Sequence, residues 1–262
     1  MTQVKAYTPG LYARAAEQDR DAQRQDFLTV QRESGMDYFS DGLLEWEELS
    51  APLSKLSGAP VPDAGSNEPL GETYFRSSDL PRERWLATLP SPLALASDAQ
   101  QAADLLAPQV AWLADNGCAF VVLQQSRMPD EQDLAALEEA VEALQSPLPL
   151  VLRPPKGDAS GVIPGVLDLP VEAVGVDMIS TDVEALPDPF PKTLLAGVVD
   201  SENPQPEEPS EVAARYEILL RRLDKEADLH LAPNGDLRAL APEDAKLKIR
   251  RLGDAARILR GG

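Results

Sequence analysis

Cys118-Ala119-Phe120-Val121-Val122-Leu123 is the stretch that decides the fold. It is apolar throughout, rich in β-branched and aromatic residues, and too short for an ordinary helix. A strand with no polar face belongs in a parallel sheet that is covered on both sides. The flanking sequence agrees, because residues 99–116 and 131–145 both carry apolar residues at helical spacing. In the second of these, Leu134, Leu137, Val141 and Leu144 form one stripe after the start signal Pro129-Asp130. Helix, strand, helix is the repeating unit of a parallel α/β sheet.

Working outward, the same alternation covers most of the chain. Strands are expected at 4–7, 36–40, 84–89, 118–123, 148–152, 176–180, 193–199 and 229–231. Further helices are expected at 15–34, 210–223 and 242–259, the last opening on Pro242 and stopping at Gly261-Gly262. Eight strands within 262 residues predict an α/β fold of one domain over 1–262, a closed (β/α)8 TIM barrel, which takes about 250 residues. Residues 57–81, rich in Pro, Gly and Ser, are expected to form a long irregular loop. Residues 151–170 also read as loose, with Pro154, Pro155, Gly157, Gly161, Pro164 and Gly165. Trp46, Trp85 and Trp112 are expected to pack in the core.

Composition excludes several roles. The net charge of −20 lacks the basic footprint that nucleic acid or an anionic membrane would require. No run of 18 apolar residues occurs, so no membrane span is expected. No apolar stretch follows Met1, so no secretory leader is expected. A single cysteine, Cys118, fits a reducing cytoplasm. With one histidine, His230, the chain has little material for a zinc centre or a Cys/His nucleophile. His230 reads as a hydrogen-bonded interior residue and Cys118 as a small buried hydrophobe.

Functional groups of such barrels sit at the C-terminal ends of the strands. Those ends supply Asp41, Gln124, Gln125, Arg153, Asp182, Asp200 and Asn234. Strand ends turn polar in any protein, but a polar residue at each of them predicts a polar, ligand-binding mouth. Arg153 and Lys156 are the basic groups near it, and a guanidinium suits a carboxylate or phosphate. A hard cation such as Mg²⁺ would require Asp41, Asp182 and Asp200 to converge. No metal and no cofactor is expected.

Several neighbourhoods resemble the catalytic barrel of cobalamin-independent methionine synthase, in the family's order. They are Val30-Gln31-Arg32-Glu33-Ser34-Gly35-Met36-Asp37 with Ser40-Asp41-Gly42, Asn116 through Leu123, and Gly175-Val176-Asp177-Met178-Ile179-Ser180. Gly197-Val198-Val199-Asp200 with Pro204 and Glu207 follows, then Ala232-Pro233-Asn234-Gly235-Asp236-Leu237 and Ala255-Ala256-Arg257-Ile258-Leu259-Arg260. The resemblance implies a methyltransferase acting on a homocysteine thiol held by zinc. The departures from the family's pattern are systematic. Leu43 stands where the family has an acid, and Gln124-Gln125 where it has the acidic pair for the substrate amine. Leu152-Arg153-Pro154-Pro155 offers no counterpart to the His-X-Cys zinc pair, and Gly235 replaces the last zinc cysteine. Asp182 alone corresponds to a zinc ligand.

The expected function is therefore a divergent methionine-synthase-like barrel, a pseudoenzyme that has lost zinc-dependent methyl transfer. It is expected to bind a small anionic or amino-acid-like ligand, or a protein partner. The alternatives are an active methyltransferase of that family, or a metal-free enzyme using the strand-end Asp and Arg residues.

Overall fold

The computed structural model describes residues 2–15, 18–49, 53, 68–96 and 98–261. Seven parallel strands form one sheet among them: β1 (Val4–Ala6), β2 (Leu86–Pro90), β3 (Phe120–Gln124), β4 (Leu150–Arg153), β5 (Ala173–Asp177), β6 (Thr193–Val199) and β7 (Leu229–Pro233). Their spatial order is β1-β7-β6-β5-β4-β3-β2. The helices are α1 (Arg20–Glu33), α2 (Glu72–Phe75), α3 (Ala99–Asp115), α4 (Glu131–Leu144), α5 (Ile163–Asp168), α6 (Pro209–Arg222) and α7 (Pro242–Leu259).

Local chemistry sets the helix starts. Asp19 caps α1, Asp98 caps α3, and Asp130 with Asp133 forms a reciprocal capping box on α4. Helix α1 thus begins at Arg20, where its first free N–H groups meet the Asp19 carboxylate, and not at Ala15. Leu137, Ala140, Val141 and Leu144 form the buried stripe of α4.

The sheet curls strongly. On a flat sheet β1 and β3 would lie five spacings apart, about 24 Å. Yet the rings of Tyr7, directly after β1, and Phe120 in β3 have centroids 5.3 Å apart. Tyr7, Leu86, Phe120, Val122, Val151, Ala173, Leu195 and Ala232 form one apolar cluster on the concave face. A larger core fills the space between the convex face and the helices.

The strand expected at 36–40 does not form as a strand. A single parallel bridge joins Phe39 to Trp85. Side chains take over the hydrogen bonds that a ladder would use. Asp37 N–H donates to Ala6 O at 2.9 Å, but Ala6 N–H donates to the Asp37 carboxylate at 2.7 Å. The Gln31 amide accepts from Ser40 N–H at 3.0 Å and donates to Ser40 O at 2.9 Å. On the other side Phe39 N–H reaches Arg84 O and Leu86 N–H reaches Phe39 O, both at 2.9 Å.

Three further expectations are corrected. The fifth strand is Ala173–Asp177, three residues earlier than the 176–180 expected from the sequence, and Met178–Ser180 is a turn. Residues 151–170 are not loose throughout, since they contain the end of β4 and all of α5. Of the irregular segment 57–81, residues 57–67 lie outside the described residues, and 72–75 form α2. Trp46 and Trp85 are fully buried, and Trp112 packs partly buried against the core.

Candidate functional site

At the C-terminal ends of the strands lies a cleft of about 660 Å³. Its floor is polar and consists of Gln124, Gln125 and Asn234, while Leu11, Leu49, Pro90, Ala94 and Pro155 supply apolar walls. Glu48, Lys156, Glu202, Asp236 and Arg238 add charge around them. A volume of this size, mostly apolar with a few fixed polar groups, suits a small organic molecule.

Gln124 ends β3, and its Nε2 donates to three carbonyls: Gln125 O at 3.1 Å, Arg153 O at 3.3 Å and Pro154 O at 3.5 Å. That arrangement fixes which end of the amide is nitrogen and turns Oε1 away from the backbone. Gln125 is buried, and its Oε1 accepts from Ser91 Oγ at 2.8 Å. Asn234, directly after β7, accepts at Oδ1 from Ser201 N–H (2.9 Å) and donates through Nδ2 to Asp177 Oδ1 (3.1 Å). Asp177 ends β5 and also accepts from Gly157 N–H at 2.9 Å and Ile179 N–H at 3.0 Å. One carboxylate thus ties the loops after β4, β5 and β7 together. Gly197 makes this approach feasible, because a Cβ there would sit 2.7 Å from Asn234 Cα.

Arg153, the last residue of β4, lies beneath the cleft instead of on its wall and is only 4% exposed. Its Nη2 donates to Pro233 O at 2.8 Å, and its Nη1 has no hydrogen-bond partner. Burial pulls its pKa down, opposed by Asp236, Tyr7 and Asp177. It borders a chamber of about 10 Å³ shared with Asp177 and Asn234, a space that suits one water molecule.

The three strand-end aspartates do not gather. Asp41 is buried and accepts from Leu43 N–H at 3.0 Å; burial pushes its carboxyl up to about 7. Asp182 is exposed and caps the turn at Glu184 N–H. Asp200 folds over its own loop, accepting from Glu202 N–H at 3.0 Å. Among the described residues, no three His, Cys, Asp or Glu side chains group as a metal would require. Of the seven strand-end residues, the structure therefore brings Gln124, Gln125 and Asn234 to the cleft, Arg153 to its underside, and the aspartates elsewhere.

His230 and Cys118 also stand apart. Tyr7 OH and His230 Nδ1 are 3.0 Å apart in the interior, and burial pushes the imidazole down to about 4. Cys118 is buried, donates to Phe120 O at 3.2 Å, and burial pushes its thiol up to about 12, so it is no nucleophile at neutral pH.

Asp177, Ser91, Ser201 and Asp236 belong to the site but were not singled out in the sequence. Asp177 was legible, since the apolar run Ala173-Val174-Gly175-Val176 ends on it. The other three come from loops, where no periodicity marks a position.

No family model matches the chain. The 5-methyltetrahydropteroyltriglutamate–homocysteine methyltransferase of Mycolicibacterium paratuberculosis is 37% identical over 101 residues, which are 35% of this chain and 13% of that protein. The Mycobacterium tuberculosis protein of the same description is 33% identical over 100 residues. The aligned part therefore spans about an eighth of those relatives. A B12-independent methionine synthase from Shewanella sp. W3-18-1, solved in complex with selenomethionine, superposes with a TM-score of 0.75 at 15% identity, over 98% of this chain and 97% of that one. A methyltransferase from Methanosarcina mazei superposes with a TM-score of 0.64 at 13% identity, over 99% of this chain and 94% of that one. In sequence over about a third of its length, and in fold over nearly all of it, the chain is similar to cobalamin-independent methionine synthases.

Proposed function

We propose that this chain is a methionine-synthase-like (β/α)8 barrel that has lost zinc-dependent methyl transfer and holds a small molecule in the cleft at its strand ends. The observation that carries this reading is the cleft itself, with hydrogen-bonded amides on its floor, two of which, Gln124 and Gln125, stand where the resemblance expects acids. The segment 37–39, bonded to both β1 and β2, supports closure of the sheet into a barrel formed by one domain. Acidic charge and a single buried thiol suit a cytoplasmic protein.

Zinc does not fit the residues present. The end of β4 carries Arg153, whose positive charge would repel the ion. The Asp182 carboxylate is engaged in capping a turn. A Cβ on Gly235 would lie 2.5 Å from Ser201 Oγ, so a ligating cysteine there would displace that side chain. Without a metal to stabilise a thiolate, a homocysteine-type thiol stays protonated near neutral pH. The retained cleft instead offers apolar walls, neutral hydrogen-bonding groups and the basic side chains Lys156 and Arg238, which suit binding of a small anionic or amino-acid-like molecule. A protein partner docking over the same mouth is the second use such a barrel would serve.

The test combines metal analysis with a direct assay. Protein purified without chelator is expected to show no stoichiometric zinc by native mass spectrometry. It is also expected to form no methionine above background from homocysteine with methyltetrahydrofolate, or with a methyl-corrinoid donor, when zinc is added. Turnover that Asp182→Ala abolishes would restore the family's reaction and overturn the proposal.

A further inference from the structure

Two cations line the cleft, and they are not equivalent. Lys156 is neutralised in place, since its Nζ meets Glu202 at 2.7 Å and Asp200 at 3.8 Å. Arg238, half-buried in the short turn after β7, makes no ion pair and donates no hydrogen bond among the described residues. None of its nitrogens is both unbonded and sealed from solvent, so the guanidinium is open to a molecule in the cleft. Arg153 is the opposite case, 4% exposed with its unbonded Nη1 shut in beneath the floor. In a chain of 44 acidic and 24 basic residues, a half-buried, accessible arginine with no acid against it points to an anion supplied from outside.

We infer that the cleft takes a molecule with an oxyanion head group, a carboxylate or a phosphate, held by Arg238, and an apolar body. The inference rests on the small-molecule reading of this cleft and names the head group and the residue that receives it. A guanidinium presents a planar fork of donors that matches two oxygens of a carboxylate or phosphate. A neutral amide offers that fork one oxygen and no charge, and an ammonium is repelled by it. Leu11, Leu49, Pro90 and Ala94 in the walls give a short hydrocarbon chain apolar surface to cover.

The charges nearby agree. Arg14 and Arg20 donate to the carbonyls of Trp46 and Leu44, in a turn closed by Trp46 N–H donating to Leu43 O at 2.9 Å. Neither has a carboxylate in ion-pair contact among the described residues, whereas Arg24 pairs with Asp21 at 2.5 Å and Glu45 at 2.6 Å. The Arg14 pKa is lowered, first by burial and then by the charges of Arg20 and Arg238, with Glu47 and Glu45 opposing. Arg238 thus belongs to a set of like charges whose repulsion an anion would relieve. Of the acids in the lining, Glu202 is held by Lys156, and Asp236 Oδ1 accepts from Leu11 N–H at 3.1 Å. Glu48 is exposed, and water and salt screen its charge.

The experiment titrates hexanoate, hexyl phosphate, hexanamide and hexylammonium into the full labelled chain and follows binding by NMR. The better anion is expected to bind at least about tenfold more tightly than hexanamide, the worth of one charge-assisted hydrogen bond. The order of hexanoate and hexyl phosphate tells carboxylate from phosphate. Arg238→Gln is expected to erase the anion preference. Arg257→Gln, which changes net charge equally in the last turn of α7, is expected to keep it, and Lys156→Gln to reduce it less than Arg238→Gln does. If Arg238→Gln fails to fold, Arg238→Lys takes its place: the charge stays, the fork goes, and the preference should fall severalfold. A preference untouched by the Arg238 variants, or reduced more by Lys156→Gln, would overturn the assignment to Arg238. Hexanamide or hexylammonium binding as tightly as the better anion would overturn the oxyanion inference while leaving the cleft a ligand site. No binding of any probe would overturn the ligand-site reading as well.

Discussion

At pH 8, Asp41→Asn is expected to be more stable than the natural chain by on the order of 3 kcal/mol, with the gap closing near pH 4. Burial raises the Asp41 carboxyl to about 7 in the folded chain, against about 3.9 when unfolded. Between these values the folded state keeps a proton that the unfolded state has lost. The stability this proton contributes is fully present below about pH 4 and is lost as pH rises through about 7. Asparagine preserves the acceptor for Leu43 N–H and never ionises, so the variant avoids that loss. Urea unfolding of both proteins at pH 4, 6 and 8 measures the gap. Equal stability at pH 8, or a less stable variant, would show that Asp41 is ionised without penalty in the folded chain.

His230 acts with the opposite sign. Its folded pKa is lowered by burial to about 4, against about 6.5 when unfolded. The corresponding stability is present above about pH 6.5 and is lost as pH falls through about 4. Between pH 4 and 6.5 the two residues therefore oppose each other, and the natural chain should show a shallow profile there. In Asp41→Asn the His230 contribution stands alone, so the variant should lose stability on acidification over that window.

The second large effect is steric. Gly253→Ala is expected to destabilise the fold by about 3 kcal/mol, at the upper end of ordinary overpacking. Helix α7 crosses the end of α1 at this glycine, and a Cβ would stand 2.0 Å from Ser34 O and 3.0 Å from Ser34 C. Those atoms are backbone at the C-terminus of α1, so no rotamer change relieves the clash. Gly161→Ala serves as the control, because nothing lies within 4 Å of its added Cβ. Thermal or urea unfolding of the pair should show a large loss for the first and a change under about 1 kcal/mol for the second. A Gly253→Ala protein as stable as the control would mean that the two helices can separate freely.

What was legible in the sequence depended on how each element earns its stability. Strands such as Thr193–Val199 are buried on both faces, so composition alone reveals them. The segment 36–40 carries similar residues, but Asp37 and Gln31 side chains bind its backbone, and that diversion has no sequence period. Gln124, Gln125 and Asn234 were visible as polar residues where apolar runs stop. Arg153 was visible in the same way, yet its placement under the floor follows from the curl of the sheet. For the aspartates, sequence position at a strand end says nothing about direction: Asp182 and Asp200 turn to their own loops, whereas Asp177 turns inward and binds three of them.

The join at residues 37–39 also shapes how the molecule can breathe. Strands β5 and β6 are paired along five residues in register, whereas β1 and β2 share no ladder and, among the described residues, are joined by this short segment, partly through a carboxylate, and by Gly10 N–H donating to Thr88 Oγ1 at 3.0 Å. The wall should therefore part first along that line, at a free energy well below global unfolding. Amide hydrogen exchange would register such an opening as early loss of protection at Phe39 and Leu86, while the amides of β6 stay protected. The interior packed around Tyr7 and Phe120 would then meet solvent from the side, by a route separate from the cleft.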